Sequence, residues 1–410
     1  MTSEERLSHM ATSGSSTAGQ RIEIRRRRRG LSRKVVAGLV GRSEEWLRLV
    51  ESGQRRLDSI ALLTRLAEVL QIDDPTDLVE WSMPKTPAFL PNPTDELTAL
   101  RHAITAHPVL RHDPAEANRD PESLTADVHY CWHLWMNSGR RHSQLADTLP
   151  AAMNATRMAH WRLRTPQTAD LLAGLYHISR YLFAACGDHS TATLVADRSL
   201  ELTAQYRLPL PIAASTWHLA SELLHWERID ESRECALAAA DLMPAAEPQA
   251  GAAVLRGALL LLAALSAADD EQTRHRLRTA AQEAADTVGG DCHELGIPFG
   301  PTEFHIAEMR IALDRHDPDR TIRLAAEVDP DDHLLVQQRV AYYVYQATAF
   351  VQRHDDTGAT FALMKAASIA PEDIGHNPAA RECLQYLARR GNHLVRAEVG
   401  YLLELAGLVG

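Results

Sequence analysis

Short polar turns return along most of this chain at nearly regular intervals, and between them the apolar residues keep a helical period. "CGD" at Cys186, "RID" at Arg228, "ADD" at Ala268, "RHD" at Arg315, "RHDD" at Arg353 and "RGN" at Arg390 each end one helical stretch and open another, with their third residues 37–47 positions apart. An earlier turn, "NSGRR" around Gly139, fits the series. A tight polar turn between two amphipathic helices at such a period marks stacked helical hairpins, because one hairpin cannot bury its apolar face alone. Ala192, small and shortly after the turn at Gly187, makes the tetratricopeptide (TPR) class the nearest match, although the strict period of about 34 residues is missing. No convincing alternating strand competes with the helical pattern. The expectation is an all-α chain with a TPR-like helical-hairpin solenoid over 95–410; a non-repetitive helical bundle is the alternative.

Four prolines, Pro84, Pro87, Pro91 and Pro93, crowd "PKTPAFLPNP" and make it a stiff, extended spacer. The domain boundary is expected at 83–94, with a small helical domain at 19–82 before it and a flexible tail at 1–18. That tail lacks an apolar signal core, and no run approaches the roughly eighteen apolar residues of a membrane span; a cytoplasmic chain with no membrane partner is expected. The five cysteines are scattered, without a C-x-x-C pair, and read as reduced core thiols. Neither Cys292-His293 nor His129 with His133 has companions at metal-ligand spacing, so no metal or cofactor is expected. A P-loop, a dinucleotide fingerprint and a nucleophile elbow are all missing, which argues against an enzyme.

Net charge is −11, yet twelve Lys/Arg against four Asp/Glu between Arg21 and Arg56 make a local +8 and leave −19 for everything else. A basic island on an acidic body is an electrostatic footprint for nucleic acid. Inside the island the residues fall at helix-turn-helix spacing. A first helix at about Gly19–Arg29 ends at Gly30; Ser32 caps a second, with Leu31 packing on the Val35/Val36 side. Ala37 is small where helices cross, Gly41 makes the turn, and Ser43 caps a third helix. There Trp46, Leu47 and Val50 face inward, while Glu44, Arg48 and Ser52, with Glu45 beside them, face out. "LDSIALLTRLAEVLQI" supplies a fourth, closing helix. Of the five arginines at 25–29, which wrap every face of a helix, one or two are expected to reach phosphate.

Two glutamates at the start of a helix that meets DNA need a reason. Acids complement the positive end of a helix, and Glu44 with Arg48 has the favourable i, i+4 spacing. A carboxylate can also accept from cytosine N4 and repel wrong bases. Arg48 is expected on guanine or phosphate, and Gln54, Arg55 and Arg56, past the helix end, on phosphate.

Residues 19–80 resemble an XRE-type, lambda-repressor-like helix-turn-helix domain. The whole chain resembles the XRE–TPR regulators common in actinobacteria, through "EEWLRLVESGQRRLDSIALLTRLAEVL", "PFGPTEF" at Pro298–Phe304 and "APEDIGHNPAAREC" at Ala370–Cys383. Arg33 departs from the family's usual glutamine and Arg42 from its usual valine. The resemblance implies a transcriptional regulator contacting double-stranded DNA through Ser32, Arg33, Lys34, Arg42, Ser43, Glu44, Glu45, Arg48, Ser52, Gln54, Arg55 and Arg56. A homodimer on an inverted repeat is expected, because one such domain covers too little DNA for operator-level specificity. The solenoid is expected to offer a concave surface to a peptide or small-molecule effector. Tyr176, Arg180, Trp217, Tyr342 and Tyr343 are candidates to line it, each also fitting plain core packing. A scaffold whose main partner is another protein, with DNA binding secondary, is the alternative function.

Overall fold

In the computed structural model, the structure describes residues 18–55, 57, 60–72, 78, 97–108, 119–243, 250–267, 270–330 and 334–408, and of 60, 61 and 250 the backbone only. The tail before residue 18, the Pro-rich spacer at 83–94 and Arg56 lie outside them. The chain divides into two compact units, 1–86 and 87–410.

The first unit holds α1 (Ala18–Arg28), α2 (Arg33–Leu39), α3 (Glu44–Glu51) and α4 (Ile60–Leu70). Ile22, Val36, Ala37, Trp46, Leu47, Val50, Leu63 and Leu66 are buried together as its core. Ser32 accepts from the Val35 amide at 3.2 Å and Ser43 from the Trp46 amide at 3.1 Å, so each serine fixes where the next helix starts. Between them Gly41 sits at φ 73°, in the left-handed region that lets the Arg42 amide reach the Ala37 carbonyl at 2.8 Å. One expectation changes: Val36 is buried but Val35 is 47 % exposed, because the seven-residue α2 offers only one narrow stripe to the core.

The second unit begins with α5 (Thr98–Thr105) and continues as packed consecutive helix pairs: α6 (Pro121–Asn137) with α7 (Arg141–Leu163), α8 (Pro166–Ala185) with α9 (His189–Gln205), α10 (Pro209–His225) with α11 (Ile229–Asp241), and α12 (Ala250–Leu265) with α13 (Glu271–Val288). Then come α14 (Pro301–Asp314) with α15 (Pro318–Ala325), α16 (Val336–Gln352) with α17 (Asp356–Ile369), the short α18 (Pro371–His376), and α19 (Pro378–Arg390) with α20 (Arg396–Leu405).

The repeating turn has a physical identity. Gly187, His316 and His354 take positive φ, and the next residue in each case sends its amide back five positions: Asp188 to Phe183, Asp317 to Ala312, Asp355 to Phe350. That aspartate then caps the following helix, as Asp270 also does, by accepting from the amide three residues on. At "RID" the turn lies earlier than the triplet suggests: Glu227 has positive φ, Arg228 is the cap, and Asp230 is already in the first turn of α11.

The array returns on itself. Trp135 of α6 donates Nε1–H to Gln337 of α16 at 3.0 Å. Arg141, stacked 4.2 Å over the Trp135 ring, forms a buried ion pair with Asp373 of α18. Glu372 accepts from the His142 and Ser143 amides at 3.0 and 3.1 Å, capping the start of α7 from 230 residues downstream. An antiparallel hairpin, β1 (Cys292–Glu294) and β2 (Ile297–Phe299), interrupts the helices, contrary to the strand-free expectation. Its corner, Gly296 at φ 76°, lies against the Trp132 ring, and the Gly296 carbonyl accepts from Tyr181 at 3.4 Å. The hairpin corner is therefore packed against aromatic side chains of α6 and α8. Cys292 is exposed, unlike the buried Cys131 and Cys383, so not every cysteine is a core thiol.

Candidate nucleic-acid interface

The first unit separates its chemistry by face. Trp46, Leu47 and Val50 turn α3 inward, which leaves Glu44, Glu45, Arg48 and Ser52 exposed along its outer edge. Lys34 near the start of α2, Arg42 in the turn, and Gln54 and Arg55 after α3 are exposed as well. Ser32, Ser43 and Ser52 are at helix ends; the first two are N-caps, and Ser52 donates to the Leu49 carbonyl at 3.0 Å.

Arg48 pairs with Glu45, not with Glu44 as the i, i+4 spacing suggested. Its Nε and Nη2 donate to the two carboxylate oxygens at 2.8 and 2.7 Å. The hydrogen bond from Arg48 holds the Glu45 carboxyl below its ordinary pKa. This fork occupies the Nε/Nη2 edge and leaves the Nη1 end pointing away from Glu45. The Arg48 and Glu45 side chains remain 47 % and 63 % exposed, so the pair is weak on its own account and serves chiefly to orient the guanidinium.

Sequence reasoning missed Glu51. Its side chain is 1 % exposed and takes Arg26 on both oxygens, Nε to Oε1 at 2.5 Å and Nη2 to Oε2 at 3.1 Å. Arg33 adds its Nε on Oε2 at 2.6 Å and reaches Glu23 at 3.6 Å. Burial works to raise the Glu51 carboxyl, and the hydrogen bonds from Arg26 and then Arg33 outweigh it, so its pKa ends lowered. Arg26 also donates Nη1 to the Leu31 carbonyl at 2.9 Å, tying α1 to the chain leading into α2. Within the arginine run, then, Arg26 is internal scaffolding, Arg27 pairs with Glu23, Arg29 donates to the Val69 carbonyl, and Arg25 and Arg28 are exposed. Arg33, expected to contact DNA, is first a partner of Glu51. The signal was available: Arg26 stands four residues after Ile22, and Glu51 four after Leu47, both on buried stripes.

A family model described as a helix-turn-helix domain matches residues 18–81. No curated protein and no solved structure matches the chain. The helix-turn-helix match covers the first unit's described helices and stops short of the helix pairs.

In the second unit, Tyr342 and Tyr343 are each 1 % exposed; Tyr342 donates to the Ala325 carbonyl at 2.8 Å, and the two rings meet edge to face. They are packing residues. Arg180 and Trp217 do come together, the guanidinium lying 5.9 Å over the indole while its Nε sits 2.6 Å from buried Glu222. Tyr176 is buried elsewhere, beside Arg157. Among the described residues no helix is long and apolar enough to cross a membrane.

Proposed function

We propose that the chain is a sequence-specific, DNA-binding transcriptional regulator that acts as a homodimer, with its TPR-like array responding to an effector. The observation that carries this reading is the helix-turn-helix unit at 18–81 with α3 capped, its apolar side buried, and a mixed-charge outer edge. In this reading the rim cations Lys34, Arg42 and Arg55 attract phosphates without regard to sequence. Arg48, steadied by Glu45, presents its free end to guanine, and the two glutamates repel bases that offer only acceptors. The acids at the start of α3 thus serve the helix end and discrimination together. Two protomers related by a two-fold axis supply operator-level specificity, and their recognition helices then need half-sites about one helical turn, roughly 34 Å, apart.

Selection of genomic DNA fragments by the full-length chain, followed by footprinting and sedimentation of the complex, tests this. The expected outcome is an inverted repeat bearing two protomers. One protomer on an asymmetric site removes the dimer; no enriched site at all removes the regulator and leaves the protein-scaffold role. On the selected site, Arg48→Ala should weaken binding roughly ten- to a hundredfold and relax preference at one base position. Arg55→Ala should weaken all sequences alike.

A further inference from the structure

Arg157, midway along α7, is 8 % exposed, and among the described residues it has no acidic partner. Its Nη1 donates to the carbonyls of Ala103, Ile104 and Ala106 at 2.5, 2.7 and 2.8 Å, closing the end of α5. Arg198 of α9 donates Nη1 to the same Ile104 carbonyl at 3.0 Å and likewise has no acid across from it among the described residues. Burial lowers the Arg157 pKa, and repulsion from Arg198 adds to that, with the Tyr176 phenol opposing. Against the two arginines the α5 end offers about half an elementary negative charge, and the recess beside them holds one carboxylate, Glu201, that pairs with neither. Arg157 is buried and Arg198 half-buried, and a buried cation without an acidic partner is unfavourable unless an anion joins it.

Room for one exists. A recess of about 270 Å³ opens over the two arginines. Leu172 and Leu202 give it an apolar wall, and Trp161, 37 % exposed and edge to face with His107 at 6.2 Å, forms its lip. Glu201 supplies one acid on the rim without pairing to either arginine, and burial first and Arg164 second lower the His160 pKa. A guanidinium meets a carboxylate through the parallel donors of its Nε/Nη2 edge, and in Arg157 the α5 carbonyls use only Nη1. The volume lies just below the usual range of about 300–1,000 Å³ for small-molecule pockets, which suits one compact molecule and not a peptide chain.

We propose that this recess binds a small organic acid, its anionic head on Arg157 and Arg198 and its apolar body against Trp161, Leu172 and Leu202. The binding stands on the recess itself; that the acid acts as effector rests on the regulatory reading above.

Calorimetric titration of the full-length protein with phenylacetate, with its uncharged analogue phenylacetamide, and with inorganic phosphate tests the proposal. Phenylacetate is expected to bind saturably, at least tenfold tighter than the amide, and Arg198→Gln should erase that preference. Trp161→Ala, on the exposed lip, should weaken phenylacetate and leave phosphate unchanged. No saturable binding of phenylacetate, equal binding of the amide, or equal binding by Arg198→Gln overturns the site. Phosphate binding as tightly as phenylacetate with no dependence on Trp161 overturns the organic-acid class. A mobility shift on the selected operator, run with the same preparations, separates the two readings: acid binding without any change in DNA affinity removes only the effector role. DNA binding without acid binding removes only this site.

Discussion

Replacing Glu51 with alanine would leave the Arg26 guanidinium inside the helix-turn-helix unit with the Leu31 carbonyl as its remaining hydrogen-bond partner. Glu51 and Arg26 are 4 % and 7 % exposed, so this is the removal of one side of a buried ion pair, which costs about 3–5 kcal/mol. A domain's whole stability is about 5–15 kcal/mol, and the first unit is small. At about 1.4 kcal/mol per factor of ten, core amides such as those of Leu47 and Val50 should exchange with deuterium roughly a hundred to several thousand times faster. Hydrogen–deuterium exchange of the full-length chain reads this on peptides from 18–72 without requiring the two units to unfold together. The partner experiment is apolar replacement: Arg26→Met with Glu51→Leu should recover to within about 1 kcal/mol of the parent, because a well-packed apolar pair often matches a buried ionic one. The pH sign follows from the lowered carboxyl. Its stabilisation is complete above the unfolded value near 4.3 and is lost as pH falls through the folded one, and Glu51→Ala should flatten that acid limb. Parent-like exchange in Glu51→Ala, or a double variant no better than it, would refute the reasoning.

Two further outcomes concern the helix pairs. His177 and His218 stack at 4.4 Å with both rings buried; burial, then nearby positive charge, pushes His177 down to about 3 and His218 well below its ordinary value. The unfolded chain protonates them near pH 6.5 and the folded chain does not, so stability is complete above that pH and falls below it by about 1.4 kcal/mol per pH unit for each. Urea melts of the parent at pH 7.5 and 5.5 should show the loss, and His218→Leu should halve it; a pH-independent midpoint in the parent counts against the buried neutral pair. Gly296→Ala would put a Cβ 1.9 Å from Trp132 Cζ3 at φ 76° and should destabilise the second unit by about 2–4 kcal/mol. Thermal melts check this, and an unchanged midpoint would mean that the hairpin corner is not packed as described.

The parts legible in the sequence are those set by local rules. Ser32 and Ser43 announce helix starts through their side-chain chemistry, and Trp46, Leu47 and Val50 announce the inner face of α3 through helical spacing. Asp188, Asp317 and Asp355 mark turns because an aspartate there caps the next helix. What escaped depends on context. His316 and His354 do the work usually given to glycine, and histidine, though enriched at positive φ, adopts it too rarely for its identity alone to announce the turn. Asp230 closes the "RID" triplet as the other aspartates close theirs but is already the second residue of α11. Arg141 and Asp373 are 232 positions apart, and no local pattern announces that the array meets itself there. Arg157 was invisible for the opposite reason: in sequence it is one more arginine on a helix, and only burial over the end of α5 gives it a function. Glu45 took Arg48 from Glu44 because both spacings place partners on one face, leaving side-chain geometry to decide.

The claim that the island at Arg21–Arg56 binds DNA through its cations is tested most directly by salt. The full-length protein is titrated on its best selected site across 50–300 mM KCl, with affinity read by fluorescence anisotropy. Six to eight neutralised phosphates give a slope of log affinity against log salt of about −5 to −7, and Lys34→Gln with Arg42→Gln should make it shallower by about two. A slope near zero on that site, or one unmoved by the double variant, would contradict the account.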